Sequence, residues 1–110
     1  MAGDPQAAER VLVAIADPVR RRILDTLAAQ GAGTATTLAA GLPVSRQAVM
    51  KHLTMLQRAG LVSAQRRGRE MRYRVEPQPL DATARWMSGL ATDWQQRLTA
   101  ITSIAEAPSG

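Results

Sequence analysis

The sequence predicts a mainly α-helical fold with one small β-hairpin, in the order α-α-α-α-β-β-α, and three observations predict it. Residues 34–59 hold two helical segments separated by Gly41-Leu42-Pro43. The next stretch, LVSAQRRGREMRYRV at 61–75, alternates apolar and basic side chains about an Arg67-Gly68-Arg69 tip, as a two-stranded hairpin does. Towards the end, Leu80, Ala84, Met87, Ala91, Trp94, Leu98, Ile101 and Ala105 recur at spacings of four and three, the period of a heptad seam. The first two describe a helix-turn-helix followed by a basic wing, so the chain reads as one winged helix-turn-helix domain over 1–110.

Each element follows from local signals. A first helix over 6–16 carries Val11, Leu12 and Ile15 at helical spacing. Asp17-Pro18 then reads as an N-cap with proline at the first position of a second helix. There Val19, Ile23, Leu24 and Leu27 form the buried stripe, Arg21 and Asp25 are spaced to pair, and Gly31 and Gly33 end the helix. Thr34 to Ala40 is a short third helix. Ser45 caps the fourth, which runs to Ala59 and stops at Gly60. Pro77 and Pro79 separate the hairpin from a last helix over 80–105, and the tails MAGDP and APSG read as disordered.

Composition narrows the class. The chain has 110 residues and a formal charge of +5, from fourteen basic and nine acidic side chains. Thirteen of the fourteen are arginine, the side chain suited to bidentate contact with phosphate or guanine. A solvated basic surface is the bland alternative, but five arginines cluster in 66–74 and favour nucleic acid. Without cysteine there is no disulfide or thiolate metal site, and His52 is the single histidine, so no metal or cofactor is expected. No apolar run approaches the roughly 20 residues of a membrane span, and the start MAGDPQ lacks a leader pattern, so a cytoplasmic protein with no membrane contact is expected.

The fourth helix sorts its side chains into two arcs at about 100° per residue. Val49, Leu53 and Leu56 fall together towards the core. Opposite them lie Arg46, Gln47, Met50, Lys51 and Thr54, weighted to the N-terminal half, with Ser45 at the cap. That half of a recognition helix reaches base edges in the major groove: arginine suits guanine, glutamine suits adenine, and methionine touches a thymine methyl. His52 lies off this arc and reads as a half-buried or backbone-contacting side chain. In the hairpin, Met71, Tyr73 and Val75 face inward, while Arg66, Arg67, Arg69 and Arg72 are available to straddle phosphates or enter the minor groove.

The seam of the last helix wants a partner. Either it packs on its own domain, or it pairs with its copy or the first helix of a second subunit. The second option predicts a homodimer whose interface uses Val11, Leu12 and Ile15 with Met87, Ala91, Trp94, Leu98 and Ile101, matched to a palindromic double-stranded site. Asp81 with Arg85 and Asp93 with Arg97 form i, i+4 pairs, and Trp86 lies off the seam.

These segments resemble the ArsR-type, or arsenic-repressor-like, winged helix regulators over almost the whole chain. ADPVRRRILDTLA at 16–28 is similar to the family's second helix. LPVSRQAVMKHLTMLQRAGLV at 42–62 is similar to its reading helix and first wing strand, and RRGREMRYRVEPQPL at 66–80 to the wing and its exit. The resemblance implies a cytoplasmic bacterial homodimer, joined through its first and last helices, that binds an imperfect palindrome and usually represses. By position it places DNA contacts at Arg46, Gln47, Met50 and Lys51. Many relatives have small polar residues at 46, 47 and 50, so the operator does not transfer. The metal-sensing members use cysteines near the third helix or histidine and carboxylate sets on the last; this chain resembles the cysteine-free branch, and no small-molecule effector is read from its residues.

Two other classes fit these residues less well. A winged protein-interaction module, of antitoxin or scaffold type, would be favoured by an arginine-poor reading face, which this is not. An enzyme lacks a nucleophile or an acid/base pair, and Tyr73, Trp86 and Trp94 do not make a stacking platform for single-stranded RNA.

Overall fold

The computed structural model describes residues 4–106. Its elements are α1 (Pro5–Ile15), α2 (Pro18–Gln30), α3 (Ala35–Ala40), α4 (Arg46–Arg58), β1 (Val62–Arg67), β2 (Glu70–Val75) and α5 (Gln78–Glu106). This is the winged helix-turn-helix order expected. Four polar caps start the first four helices. The side chains of Asp4, Asp17, Thr34 and Ser45 each accept a backbone N–H of the first turn, at 3.0 Å from Gln6, 2.7 Å from Val19, 3.1 Å from Thr37 and 3.1 Å from Ala48. Asp4 and Pro5 therefore belong to α1 rather than to a disordered tail; residues 1–3 and 107–110 lie outside the described residues. Likewise Pro79 sits inside the first turn of α5 rather than ahead of it, a place where its missing N–H costs nothing.

The α1–α2 corner is closed by two arginines whose role the sequence does not announce. Nε of Arg20 donates to the Ala14 carbonyl at 2.6 Å and Nη2 to that of Val13 at 3.1 Å, while Arg21 Nη1 donates to the Ile15 carbonyl at 2.7 Å. Together they satisfy the last carbonyls of α1, which Pro18, lacking an N–H, cannot do. Arg21 is thereby drawn to the corner, and the pair with Asp25 expected from spacing is absent from the ion pairs among the described residues.

The core joins Val11 and Ala14 of α1, Ile23 and Leu27 of α2, Leu38 of α3, Val49, Leu53 and Leu56 of α4, and Leu61, Val62 and Tyr73 of the hairpin. Val19 and Leu24 pack at its edge. In the hairpin the register pairs Val62 with Val75, Ala64 with Tyr73 and Arg66 with Met71 on one face, and Ser63 with Arg74, Gln65 with Arg72 and Arg67 with Glu70 on the other. Gly68 makes the tight turn at φ 62°, a conformation that favours glycine. Gly33 adds a third rung: its N–H and carbonyl exchange hydrogen bonds with Tyr73 at 3.1 and 2.8 Å. A Cβ there would lie 3.0 Å from a Leu27 methyl, so any larger residue at 33 requires that side chain to give way.

Helix α5 leaves the domain. Only Thr83 is buried; Trp86 and Leu90 are half-buried, and every residue from Gln95 to Glu106 is exposed. Its 29 residues span about 43 Å at 1.5 Å each. The molecule measures 77 × 29 × 22 Å with a radius of gyration of 19.8 Å, against about 13 Å for a compact chain of this size. The seam stands open: Met87 is 49% exposed, Trp94 58%, Leu98 59% and Ile101 63%. Ala91 is also exposed. The first helix corrects the expectation made for it. Val11, expected at a subunit interface, is buried in its own core, and Leu12 and Ile15 are half-buried, while Val13 on the opposite face is the exposed apolar residue. A helical stripe shows which face is apolar, not which neighbour covers it.

Candidate nucleic-acid interface

Helix α4 buries Val49, Leu53 and Leu56 and turns Ser45, Arg46, Gln47, Met50, Lys51 and Thr54 to solvent, the two arcs predicted. The Ser45 cap holds the first turn, so the exposed reading arc begins at a fixed point just past the α3–α4 turn. Across that turn Nε of Arg46 donates to Thr36 Oγ1 at 3.2 Å, which aims the guanidinium; Thr36 was not anticipated. Thr54 spends its hydroxyl proton on the Met50 carbonyl at 3.0 Å.

The wing comes up beside this arc. Arg46 and Met50 of α4 share one concavity of about 300 Å³ with Arg69, Glu70 and Met71 of the wing, the Thr34 cap, and Ala35 and Thr36 of α3. The other wing arginines point elsewhere. Arg67 and Arg72 lie on the outer face of the hairpin with Arg74, over a separate depression of about 310 Å³ that reaches Gly31 and Ala32. Arg66, expected with them, shares the inner face with Met71 and Tyr73 and is exposed at its outer end. Arg74 joins the outer row, two residues from Arg72, because a strand repeats its faces every second residue.

Behind the reading arc, Arg20 ties α4 to the α1–α2 corner. Its Nη1 donates to His52 Nδ1 at 3.3 Å and to Met55 Sδ at 3.4 Å, and lies 3.6 Å from Asp17 Oδ2. His52 is half-buried, as expected, against a side chain rather than the backbone. Asp17 titrates low. Partial burial pushes its carboxyl up, but the N–H groups of Val19 and Arg20 and the neighbouring Arg20 and His52 outweigh this and hold it below the usual carboxylate range. Among the described residues no group of three histidine, cysteine or acidic side chains is placed to hold a metal ion, and no helix is long and apolar enough to cross a membrane.

A family model described as a helix-turn-helix domain matches residues 15–63. The chain is 42% identical to an ArsR-like transcriptional regulator from Rhodococcus sp. RHA1, whose solved structure superposes with a TM-score of 0.80 over 94% of this chain and 96% of that one. This chain belongs to the ArsR-like transcriptional regulators. Two named bacterial regulators extend the likeness. The transcriptional repressor SdpR of Bacillus subtilis is 35% identical over 70% of this chain and 84% of its own length. The HTH-type transcriptional regulator Rv2034 of Mycobacterium tuberculosis is 35% identical over 89% and 88%. As an ArsR-like regulator the chain carries a DNA-binding helix-turn-helix, and the matched residues run from the end of α1 through α2, α3 and α4 to the start of β1.

Proposed function

We propose that this regulator is a cytoplasmic homodimeric repressor, not an enzyme, that reads a palindromic double-stranded operator. The observation that carries the reading is the shared concavity of Arg46, Met50 and Arg69: a polar helix arc and a basic wing tip flank one hollow, as a reader of groove and backbone requires. In the major groove Arg46 pairs with guanine, Gln47 with adenine, and Met50 meets a thymine methyl. Ser45 and Lys51, with Arg66, Arg67, Arg69 and Arg72 of the wing, bind phosphates and fix the register, and Thr54, its hydroxyl proton spent on the Met50 carbonyl, offers its methyl group to the groove. The open seam of α5, Met87, Ala91, Trp94, Leu98 and Ile101, supports pairing with a second copy, with Leu12 and Ile15 of α1 at its edge. Repression is supported by the name of the Bacillus relative. Selection of bound fragments from the source genome, followed by sequencing, tests the whole reading. An inverted repeat with half-sites about one helical turn apart is expected; a single unpaired half-site refutes the dimeric reader, and no enriched motif refutes base reading.

A further inference from the structure

Among the described residues nine large hydrophobic side chains are exposed, of which Met50 belongs to the reading arc and six lie along α5. Val13 at 51% and Met55 at 39% exposure remain. Both line one groove of about 480 Å³ between α1 and the C-terminal turn of α4. Its walls carry two cations, Arg10 and Arg58, against one carboxylate, Glu9. Neither arginine is in an ion pair among the described residues. Both also line a second hollow of about 240 Å³ that runs towards Thr83 of α5 and includes Asp4, so the two arginines border both depressions.

Beneath the groove lies Arg20. Three residues of the groove wall are its partners: the carbonyls of Val13 and Ala14 and the sulfur of Met55. Its other side-chain partners are Asp17 at the start of α2 and His52 of α4, one residue from Lys51 on the reading arc. A group that displaces Met55 or spreads α1 from α4 therefore acts on the joint that sets the reading helix.

We propose that this groove is an effector site for a small amphipathic organic anion, a carboxylate on a flexible aliphatic body, and that its occupancy alters DNA affinity through Arg20. The coupling half rests on the DNA-reading function above; the site itself does not. The carboxylate lies between Arg10 and Arg58, where forked donors match its two oxygens. The aliphatic body lies on Val13, Ala14 and Met55, a thioether wall that adapts to an unbranched chain. Among the described residues no aromatic ring lines the groove, so a nucleobase finds nothing to stack on. The volume lies within the range of small-molecule sites, about 300–1,000 Å³.

Decanoate is the probe, titrated calorimetrically into the full-length chain without DNA. Saturable binding at one per chain is expected, weakened at least tenfold by the double substitution Arg10→Gln/Arg58→Gln, with 1-decanol binding at least tenfold more weakly than decanoate. No saturable binding, equal binding by the double variant, or equal binding of 1-decanol overturns the site. A double variant that sediments as a monomer where the parent is a dimer also overturns it, and gives the groove to a second copy of the chain. Saturating decanoate is then expected to change affinity for the selected operator by about 5–150-fold, the range of coupled sites, in fluorescence anisotropy. His52→Ala should keep decanoate binding and lose most of that change. Operator binding that ignores bound decanoate overturns the coupling, whereas failure to bind any operator strikes the DNA reading and leaves the calorimetric test of the site intact.

Discussion

Replacing Arg20 with methionine removes the side chain that closes α1, and its cost can be worked from the hydrogen bonds it leaves open. In a continuing helix the Ala14 carbonyl would receive the N–H of residue 18, but that residue is proline. Nε of Arg20, at 2.6 Å, takes the place of that donor. The Val13 carbonyl receives Nη2 at 3.1 Å but keeps the Ala16 N–H at 3.3 Å. A hydrogen bond from a charged donor contributes about 1.5–3 kcal/mol, and a buried acceptor stripped of its partner costs about 1–3 kcal/mol. Ala14 bears the full loss and Val13 a fraction of it, so about 3 kcal/mol in all is expected. Against a total of about 5–15 kcal/mol for a domain, that is a large share. Urea unfolding followed by circular dichroism, at one protein concentration because a dimer links stability to concentration, should show the midpoint falling by about 1–3 M. Arg20→Lys should recover less than half of the loss, since one ammonium cannot reach both carbonyls and His52. A loss below about 1 kcal/mol in Arg20→Met would refute the assignment of Arg20 as the cap of α1.

Four further outcomes are expected. Arg46→Ala or Gln47→Ala should weaken binding to the selected operator by about 1–3 kcal/mol and flatten discrimination at specific positions, with less effect on random DNA; an unchanged preference in a binding-site selection would put the wrong face of α4 in the groove. Affinity should fall on the order of a thousandfold between 50 and 200 mM salt for about six phosphate contacts, and Arg69→Ala should weaken all sequences nearly alike; a salt-insensitive affinity sinks the wing's role. Leu98→Glu should shift the protein towards monomer in analytical ultracentrifugation and collapse operator affinity, because the linked second reader is lost; a variant that stays dimeric and binds normally removes α5 from the interface. Asp17 has a lowered pKa in the fold, so its ionised form stabilises fully above the unfolded carboxylate range and the benefit is lost as pH falls below about 4. The stabilities of the parent and Asp17→Asn should therefore differ at pH 7 and converge towards pH 2; a difference that stays constant with pH refutes the part played by the charge.

The elements and the two arcs of α4 were legible in the chain alone. Capping by Asp17 and Ser45, the proline at the start of α2 and the alternation in 70–75 are interactions within a few residues, so they can be read without knowing what lies across the fold. Helical periodicity likewise separates Val49, Leu53 and Leu56 from Arg46, Gln47 and Met50, because one helix has one core-facing side. What meets what came from the packing of distant segments. Val11 and Val13 look alike in a string, yet one enters the core and the other lines a groove, since only the packing of α1 on α4 and α5 chooses between neighbours. Arg20 reads as one more basic residue until the α1–α2 corner brings carbonyls six and seven residues away and a histidine thirty-two residues away onto one guanidinium. Gly33 reads as a helix stop until Tyr73 of β2 bridges to its backbone and the Leu27 side chain closes on the space a Cβ would take. Those contacts join segments far apart in the chain, and no local pattern records them.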